Sequence, residues 1–289
     1  RQMCIRDRDT LSAGGVIGFA MDCYEHGILT KKDSDGIDLR FGNHEAVLEM
    51  LKKIGTREGI GEIMAEGVKR AAEKIGKGAE KFANHIKGVE MTGYDIRGLK
   101  TAALGYAISF RGADHNRHGA YAPDVKGSVN RFKAEKGRGK LVREIEDLYT
   151  VIDSMIVCKF SRGVYPDAFG DLAKYYTLDT GMEMTPQELQ KAGERINNLG
   201  RLINIREGFT RKDDHLPPKV MNVPIPDEGV SKGAHVTQAE LDILLDDYYE
   251  TRGWTKEGVP TMEKLNEIAL EDLDYIVKPK LERTTTKKK

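Results

Sequence analysis

An all-α, multi-helical protein is what this sequence predicts, and three observations carry the prediction. Two capping boxes, TPQE at 185–188 and TQAE at 237–240, each open a long segment with apolar residues at helical spacing. Strand signals are few, and the best of them, SMIVCKF at 154–160, is short and ambiguous. The composition, 32% charged and only 7% aromatic, is typical of helices with a well-solvated surface.

The first part of the chain predicts three helices. The segment 11–26 has apolar residues at helical spacing and ends at Gly27. Asn43 is a suitable cap for a second helix that runs to Gly55, and a third helix is expected over about 60–75.

Three glycines lie inside the first of these helices, where each costs roughly 1 kcal/mol relative to alanine. We therefore expect another backbone or a cofactor to approach that face; a loop that enters a shorter helix is the alternative. The three are Gly14, Gly15 and Gly18.

Further along, the stretch 98–110 is helix-like, and the Pro-rich stretch 217–226 predicts an extended surface linker. The tail TTTKKK is expected to be disordered. The helix that begins after Thr185 should bury an apolar face formed by Leu189, Ala192, Ile196, Leu199 and Leu202.

Charge and cysteine content exclude several classes of protein. Lys plus Arg (46) equals Asp plus Glu (46), so no broad field favours nucleic acid or an anionic membrane as a partner. No run of eighteen apolar residues predicts a transmembrane helix. Three cysteines cannot form a disulfide framework, which favours a reducing cytoplasm. Residues 1–8, RQMCIRDR, resemble a peptide translated from a sequencing adapter, and no function is expected of them.

The segment 110–120, FRGADHNRHGA, crowds histidines, charges and glycines into one stretch. A solvated loop with a helix cap is one interpretation, and a site that grips a large polar cofactor is the other. In the second interpretation, His115 is a general acid/base or a donor to an oxyanion. Arg111 and Arg117 would then clamp a phosphate or a planar pterin. Cys158 is likewise either a buried structural thiol or a metal ligand.

Six blocks of the sequence resemble, in the same order, those of the aldehyde ferredoxin oxidoreductase family. The blocks are DTLSAGGVIGFAMDCYEHGIL, GTREGIGEIMAEGVKRAAEKIG, YDIRGLK with LGYAISFRGADHNR, DSMIVCKF, NLGRLINIREGFTRKDDHLPPK, and DDYYETRGW with GVPTMEKL. The resemblance implies the end of a second, helical domain over 9–88 and a third, helical domain over 89–289. It also implies a tungsten (or molybdenum) bis-pyranopterin cofactor and a 4Fe-4S cluster, with a β-rich first domain upstream.

The resemblance also implies roles for individual residues. In the family's D-x-x-G-L-C motif, Asp153 matches the pterin-binding carboxylate, Val157 a neighbouring cofactor contact, and Cys158 the fourth cluster ligand. Ile156 and Val157 stand where the family has Gly and Leu, which leaves the local backbone path open.

Four further positions carry over in the same way. Asp9 matches the end of a sister pterin motif, and Arg117 matches a basic residue that reaches the pterin. Arg111 and His115 match a turn beside the metal. Tyr94 matches a tyrosine that lines the substrate end of the pocket, where His115 and Tyr94 would act together as catalytic groups.

The activity implied for the parent enzyme is the oxidation of an aldehyde to a carboxylic acid, with ferredoxin as electron acceptor. A homodimer of the full-length enzyme is compatible with this, and no nucleic acid or membrane partner is expected. Two alternatives remain: a fragment of the catalytic subunit of a tungsten aromatic acyl-CoA reductase, and a helical interaction module without a cofactor.

Overall fold

The computed structural model describes residues 9–278, and helices account for nearly all of their regular structure. Within those residues the only strands are β1 (His85–Ile86) and β2 (Val89–Glu90), which pair antiparallel with His85 opposite Glu90. The all-α prediction is therefore confirmed. The α-helices are α1 Thr10–Glu25, α2 His44–Thr56, α3 Ile60–Met64, α4 Val68–Ile75, α5 Lys100–Ile108, α6 His115–His118, α7 Tyr121–Lys126, α8 Arg138–Ser154, α9 Ala168–Thr180, α10 Pro186–Arg206, α11 Pro218–Asn222, α12 Gln238–Arg252 and α13 Met262–Glu267.

Short 3-10 helices connect several of these elements, at Ala79–Phe82, Ile96–Gly98, Lys159–Val164, Arg211–Asp213 and Glu271–Leu273. Among residues 9–278, none of the helices is both long and apolar enough to cross a bilayer.

The chain divides into two compact units. The first comprises the described residues up to Gly98, together with Gly112–Asp114 and Leu216–Val236. The second comprises Leu99–Arg111, His115–His215 and the described residues from Thr237 to Lys278. The division that the sequence analysis expects between its two domains, at 88/89, stays a prediction. The adapter-like residues 1–8 and the tail TTTKKK lie outside the described residues.

Helices begin where the sequence predicts when their capping residues are close together in the chain. Asp9 caps α1 by accepting a hydrogen bond from the Ser12 amide (2.7 Å), and Asn43 caps α2. Thr185 and Thr237 each form the predicted capping box, at the starts of α10 and α12. Side-chain oxygens at these positions satisfy amides that the first helical turn leaves without partners, so the signal needs no information from the rest of the fold.

The predicted helix over 60–75 is instead two helices, α3 and α4. The chain turns at Gly67, where φ is 86°, and an added Cβ would lie 2.5 Å from the Glu90 carboxylate. That carboxylate, from β2, accepts a hydrogen bond from the Val68 amide (2.7 Å) at the start of α4. The break therefore depends on a contact with a residue twenty-two positions away, which helical periodicity does not encode.

One further expectation was wrong, and the ambiguous strand signal is resolved. The Pro-rich stretch 217–226 is not only a linker: it contains α11, Val220 is buried, and Lys219 pairs with Asp22 (2.9 Å) within the first unit. The segment 154–160 is not a strand, because α8 extends to Ser154 and a 3-10 helix begins at Lys159.

The two units differ in the kinds of side chain that they bury. In the first unit, an apolar core formed mainly by α1–α4 includes Val16, Phe19, Met50 and Met64. In the second unit, α8 packs against both α10 and α12, and that contact is rich in charge. Arg252 of α12 is fully buried there.

Arg252 is held entirely by charged and polar partners. It donates to Glu146 (2.6 Å), to Asp147 (2.7 Å) and to the Tyr248 hydroxyl (2.9 Å). Buried charges need such pairing, because an ion without partners in the interior is costly.

Candidate functional site

The site begins with Arg117 on α6, a short helix in the second unit. Its guanidinium is 5% exposed and stacks on the Phe110 ring, with the carbon 4.5 Å from the ring centroid. One terminal nitrogen, Nη1, donates to Asp153 (3.1 Å), and the other, Nη2, donates to Asn197 (2.8 Å) and to the Thr150 hydroxyl. Arg117 is thus fixed from two helices, α8 and α10.

Asp153 is the meeting point of two cations at the end of α8. Besides Arg117, it accepts from Lys159 (2.9 Å), whose ammonium also donates to the Asn116 carbonyl. Burial lowers the pKa of Lys159 while the hydrogen bond to Asp153 opposes the change, and the charges of Arg117 and Arg111 lower it further. Arg111 itself is exposed. Arg117 and Lys159 therefore share the Asp153 carboxylate, and Arg111 lies close enough for its charge to act on Lys159.

The chain leaves α8 through a Schellman turn. The Val157 amide donates to the Ile152 carbonyl (3.1 Å), and the Ile156 amide donates to the Asp153 carbonyl (3.1 Å). Ile156 has φ of 57°, the left-handed conformation that glycine adopts freely. Ile156 stands where the motif D-x-x-G-L-C has glycine. The backbone at this position nevertheless adopts the left-handed conformation that glycine favours.

The same turn presents Cys158. Its thiol is free and the residue is exposed, immediately before the 3-10 helix Lys159–Val164. Val157 packs inward beside a small apolar cluster that includes Val151 and Leu172. The alternative of a buried structural thiol is therefore wrong for Cys158; the buried cysteine is Cys23.

The two histidines of α6 differ in environment. Burial, and then the charge of Lys159, lower the pKa of His115, which is half-buried and has its ring centroid 6.2 Å from that of Tyr121. His118 is fully buried, and desolvation lowers its pKa to about 3. Its Nδ1 accepts a hydrogen bond from the Ala120 amide (3.0 Å), so the proton of the neutral ring resides on Nε2. With Arg117 and His118 buried, a solvated loop does not describe this segment.

Tyr94 and Asp9 belong to the first unit. Tyr94 is 39% exposed and lines a cleft of about 250 Å³ together with Gly14, Gly18 and Asp22. An added Cβ at Gly14 or Gly18 would meet nothing within 4 Å, so these glycines leave open space in the cleft. Asp9 is exposed and caps α1.

Three residues at the site were missed by sequence reasoning: Lys159, Thr150 and Asn197. Lys159 directly follows Cys158, and a lysine beside a predicted cofactor motif was an available signal. Thr150 and Asn197 gave none, because a lone threonine or asparagine in a helix carries no pattern that identifies its partner.

The polar groups of the second unit suit an anionic group with hydrogen-bond acceptors. Arg111, Arg117 and Lys159 supply positive charge, and the buried Nε of Arg117 has no hydrogen-bond partner among the described residues. This is the chemistry that phosphates select. Within residues 9–278, by contrast, no three His, Cys, Asp or Glu side chains are grouped to hold a metal ion, so Cys158 offers at most one ligand to a cluster.

Comparison with known proteins identifies the class. Residues 8–270 match the family model described as aldehyde ferredoxin oxidoreductase, domains 2 and 3. The tungsten-containing aldehyde ferredoxin oxidoreductase of Pyrococcus horikoshii is 36% identical over 272 residues, which cover 91% of this chain and 43% of that protein. The chain belongs to the aldehyde ferredoxin oxidoreductase family, and it corresponds to the second and third domains of that family.

Other relatives show how far the family extends. The aliphatic sulfonate oxidoreductase, WOR-like subunit, of Pyrococcus furiosus is 33% identical over 282 residues, covering 93% of this chain and 42% of that protein. Among solved structures, the BamBC active-site complex of benzoyl coenzyme A reductase with 1,5-dienoyl-CoA matches at a TM-score of 0.69 and 25% identity, over 94% of this chain and 45% of that one. The chain spans less than half the length of these relatives.

Proposed function

We propose that this chain is the cofactor-enclosing part of an enzyme that oxidises aldehydes to carboxylic acids and passes the electrons to ferredoxin. The observation that supports the proposal most directly is the Arg117–Asp153–Lys159 group, which lies next to the exposed Cys158. Aldehydes and ferredoxin come from the names of relatives more than twice as long as this chain, so the activity is assigned to the complete polypeptide.

A tungsten (or molybdenum) bis-pyranopterin is the cofactor we propose, and when bound it would supply the two-electron redox chemistry. Arg117, Lys159 and Arg111 would hold its anionic groups, while Asp153 and Val157 lie on the turn that presents Cys158. Cys158 would complete the ligand set of a 4Fe-4S cluster whose other cysteines lie outside this sequence. Asp9, at the start of α1, is the corresponding proposed contact in the first unit.

His115 is the proposed catalytic group of the second unit. Because burial and Lys159 lower its pKa, the imidazole is neutral near pH 7 and has one N–H to donate. A neutral donor stabilises negative charge that develops on a substrate oxygen, and loss of one such donor typically costs about 3–4 kcal/mol of transition-state stabilisation. Tyr94, in the cleft of the first unit, is proposed to influence which aldehyde is accepted.

The sharpest test of the site substitutes His115 and Tyr94 in the full-length enzyme. We expect His115→Asn to lower kcat by on the order of a hundredfold or more while tungsten content stays at the wild-type level. Tyr94→Phe should change the relative kcat/KM among aldehydes and leave kcat for the best one nearly unchanged. Full turnover in His115→Asn would remove that residue from the mechanism.

The cluster assignment is tested at Cys158. In the full-length enzyme, Cys158→Ser should abolish or distort the cluster's electron paramagnetic resonance signal, whereas Cys23→Ser, a buried thiol, should leave it unaltered. An unchanged signal in Cys158→Ser would refute the ligand role. The 289-residue chain purified alone should contain neither tungsten nor iron in stoichiometric amount, because it offers one cysteine at the site. Stoichiometric metal in that chain would contradict the proposal that the remaining ligands lie elsewhere.

A tungsten aromatic acyl-CoA reductase remains the second candidate, favoured by the likeness to the benzoyl coenzyme A reductase complex. Assay of the full-length protein with aldehydes and with aromatic acyl-CoA thioesters separates the two. Tungsten analysis of the same preparation tests the third alternative, a helical interaction module without a cofactor. Both free thiols suit a reducing compartment such as the cytoplasm.

A further inference from the structure

Alongside the buried Leu189, Leu202 and Ile205, one line of the buried surface of α10 is made of glycines and amides. Four positions recur at intervals of four, three and four residues, which places them on one side of the helix. All four are buried, in a helix where Leu199 is 37% exposed. They are Gly193, Asn197, Gly200 and Asn204.

Asn197 uses both ends of its amide. Its oxygen accepts from Arg117 (2.8 Å), and its Nδ2 donates to Asp147 (2.7 Å). Asp147 is in turn held by Arg252 (2.7 Å). The oxygen also accepts from the Thr150 hydroxyl (2.9 Å), and because Asp147 accepts from the NH2 group, a flip of the amide would break the bonds to both Arg117 and Asp147. Its oxygen is therefore directed at Arg117 by a fully buried ion pair.

Two of the other three positions, Gly200 and Asn204, act on Arg117 through Phe110, whereas Gly193 lies against the backbone of Asp147 in α8. An added Cβ at Gly200 would lie 2.6–2.8 Å from the Phe110 ring, so only glycine leaves room for that ring. The Asn204 amide donates to the Phe110 carbonyl (3.0 Å). Phe110 is thereby fixed in position, and its ring face supports the Arg117 guanidinium at 4.5 Å.

We infer that α10 is the positioning element for Arg117, with Asn197 as its principal positioning residue. Asn197 restrains the guanidinium within its plane, and the Phe110 ring supports its face. Together these contacts keep Nη1 within hydrogen-bond distance of Asp153. The inference rests on the proposed function in one respect: the group toward which Arg117 is oriented is the anionic cofactor. Asn197 is buried and its side chain bonds Arg117, Thr150 and Asp147, so its effect on the cofactor would pass through Arg117.

The first experiment measures Arg117 itself in the 289-residue chain. Rotation of the guanidinium about its Cζ–Nε bond is followed by nitrogen-15 nuclear magnetic resonance. In Asn197→Leu, which keeps the shape and removes the hydrogen bonds, we expect rotation about tenfold faster, as the loss of a charged hydrogen bond predicts.

Asn198→Leu is the matched control. Asn198 is equally buried in α10 and bonds Trp254 (2.7 Å), but it does not touch Arg117, so rotation should stay at the wild-type rate. Thr150→Val should behave like Asn197→Leu, and Thr150→Ser, which restores the hydroxyl, should return the slow rate. This second pair keeps the inference testable if Asn197→Leu fails to fold. Wild-type rotation rates in both Asn197→Leu and Thr150→Val would overturn the positioning role.

The second experiment measures tungsten content in the full-length protein. Asn197→Leu should retain a clearly smaller fraction of tungsten than Asn198→Leu at equal folded fraction. If Arg117 rotates faster but tungsten content is unchanged, the role toward the cofactor is wrong. If the wild-type protein carries no tungsten, it is the proposed function that fails, whereas the rotation rates still decide whether α10 positions Arg117.

Discussion

At the scale of single residues, Ile156 holds a backbone conformation that is unfavourable for its own side chain. The left-handed region costs an L-residue about 1–2 kcal/mol, and Ile156 is 94% exposed, so little packing offsets that cost. We predict that Ile156→Gly raises the free energy of unfolding by about 0.5–1 kcal/mol, after the entropy of glycine in the unfolded chain is subtracted. Denaturant titration is the measurement. Ile156→Ala, which keeps a Cβ, is the control and should change stability less; a Gly variant no more stable than the wild type would contradict the prediction.

Because His118 is buried, the free energy of unfolding should decrease as the pH falls. Burial lowers its folded-state pKa to about 3, below the ordinary value of about 6.5, so on acidification the unfolded chain binds the proton first. Its contribution is fully present above pH 6.5 and is lost as pH falls toward 3, at about 1.4 kcal/mol per pH unit between those limits.

The variant His118→Asn keeps an acceptor for the Ala120 amide and removes this titration. Unfolding free energies measured from pH 7 to pH 4 should therefore fall less steeply in the variant than in the wild type. Parallel slopes would mean that His118 does not stay neutral in the folded state.

At the scale of elements, replacing a glycine by alanine should have opposite effects on stability in α1 and in α10. Gly18 in α1 faces open space, so Gly18→Ala should stabilise the protein by up to about 1 kcal/mol through helix propensity. Gly200 in α10 abuts Phe110, so Gly200→Ala should destabilise it by about 1–3 kcal/mol through overpacking. Thermal unfolding of both variants is the comparison; a stabilised Gly200→Ala would show that Phe110 moves aside freely.

Helix ends were predictable wherever the residues that form them are adjacent in sequence. Thr185 with Glu188 and Thr237 with Glu240 are complete capping boxes, and both helices begin where the boxes predict. The break at Gly67 was not predictable, because the carboxylate that caps α4 comes from Glu90.

Helix α10 shows a different limit of sequence reasoning. Its expected apolar face includes Leu189 and Leu202, which are buried, but also Leu199, which is 37% exposed. The contact with α8 and Phe110 also uses glycines and amides, whose role depends on which groups they face in the fold. Hydrophobic periodicity identifies only buried apolar residues, so it does not predict which polar residues of a helix are buried.

At the scale of the whole molecule, Arg252 joins two helices through charge alone. Its removal leaves Glu146 without this ion pair and Asp147 with only the more distant Arg143 (3.9 Å), and breaking such a buried pair typically costs about 3–5 kcal/mol. We predict a loss of that order for Arg252→Met, measured by denaturant unfolding. Arg206→Met, which breaks the exposed pair with Glu207, is the matched control and should have little effect. Equal effects in the two variants would mean that burial does not determine the worth of these pairs.

The residues of the candidate site also differ in whether the sequence could predict them. Cys158, Asp153 and Arg117 were predictable because the resemblance to the family runs through the blocks that contain them. The groups that hold Arg117 in place, Thr150 and Asn197, come from separate helices and became visible only when their distances were known.

The polar contact of α8 with α10 and α12 has a calorimetric consequence. Exposure of apolar surface on unfolding raises the heat capacity, and exposure of polar surface lowers it. A unit whose central helix contact includes buried ion pairs and amides among its apolar side chains should therefore unfold with a heat-capacity increment below the usual value of about 12–15 cal/mol/K per residue. Its stability curve would be correspondingly flat, so that the surroundings of Arg117 vary little in stability over a broad range of temperature.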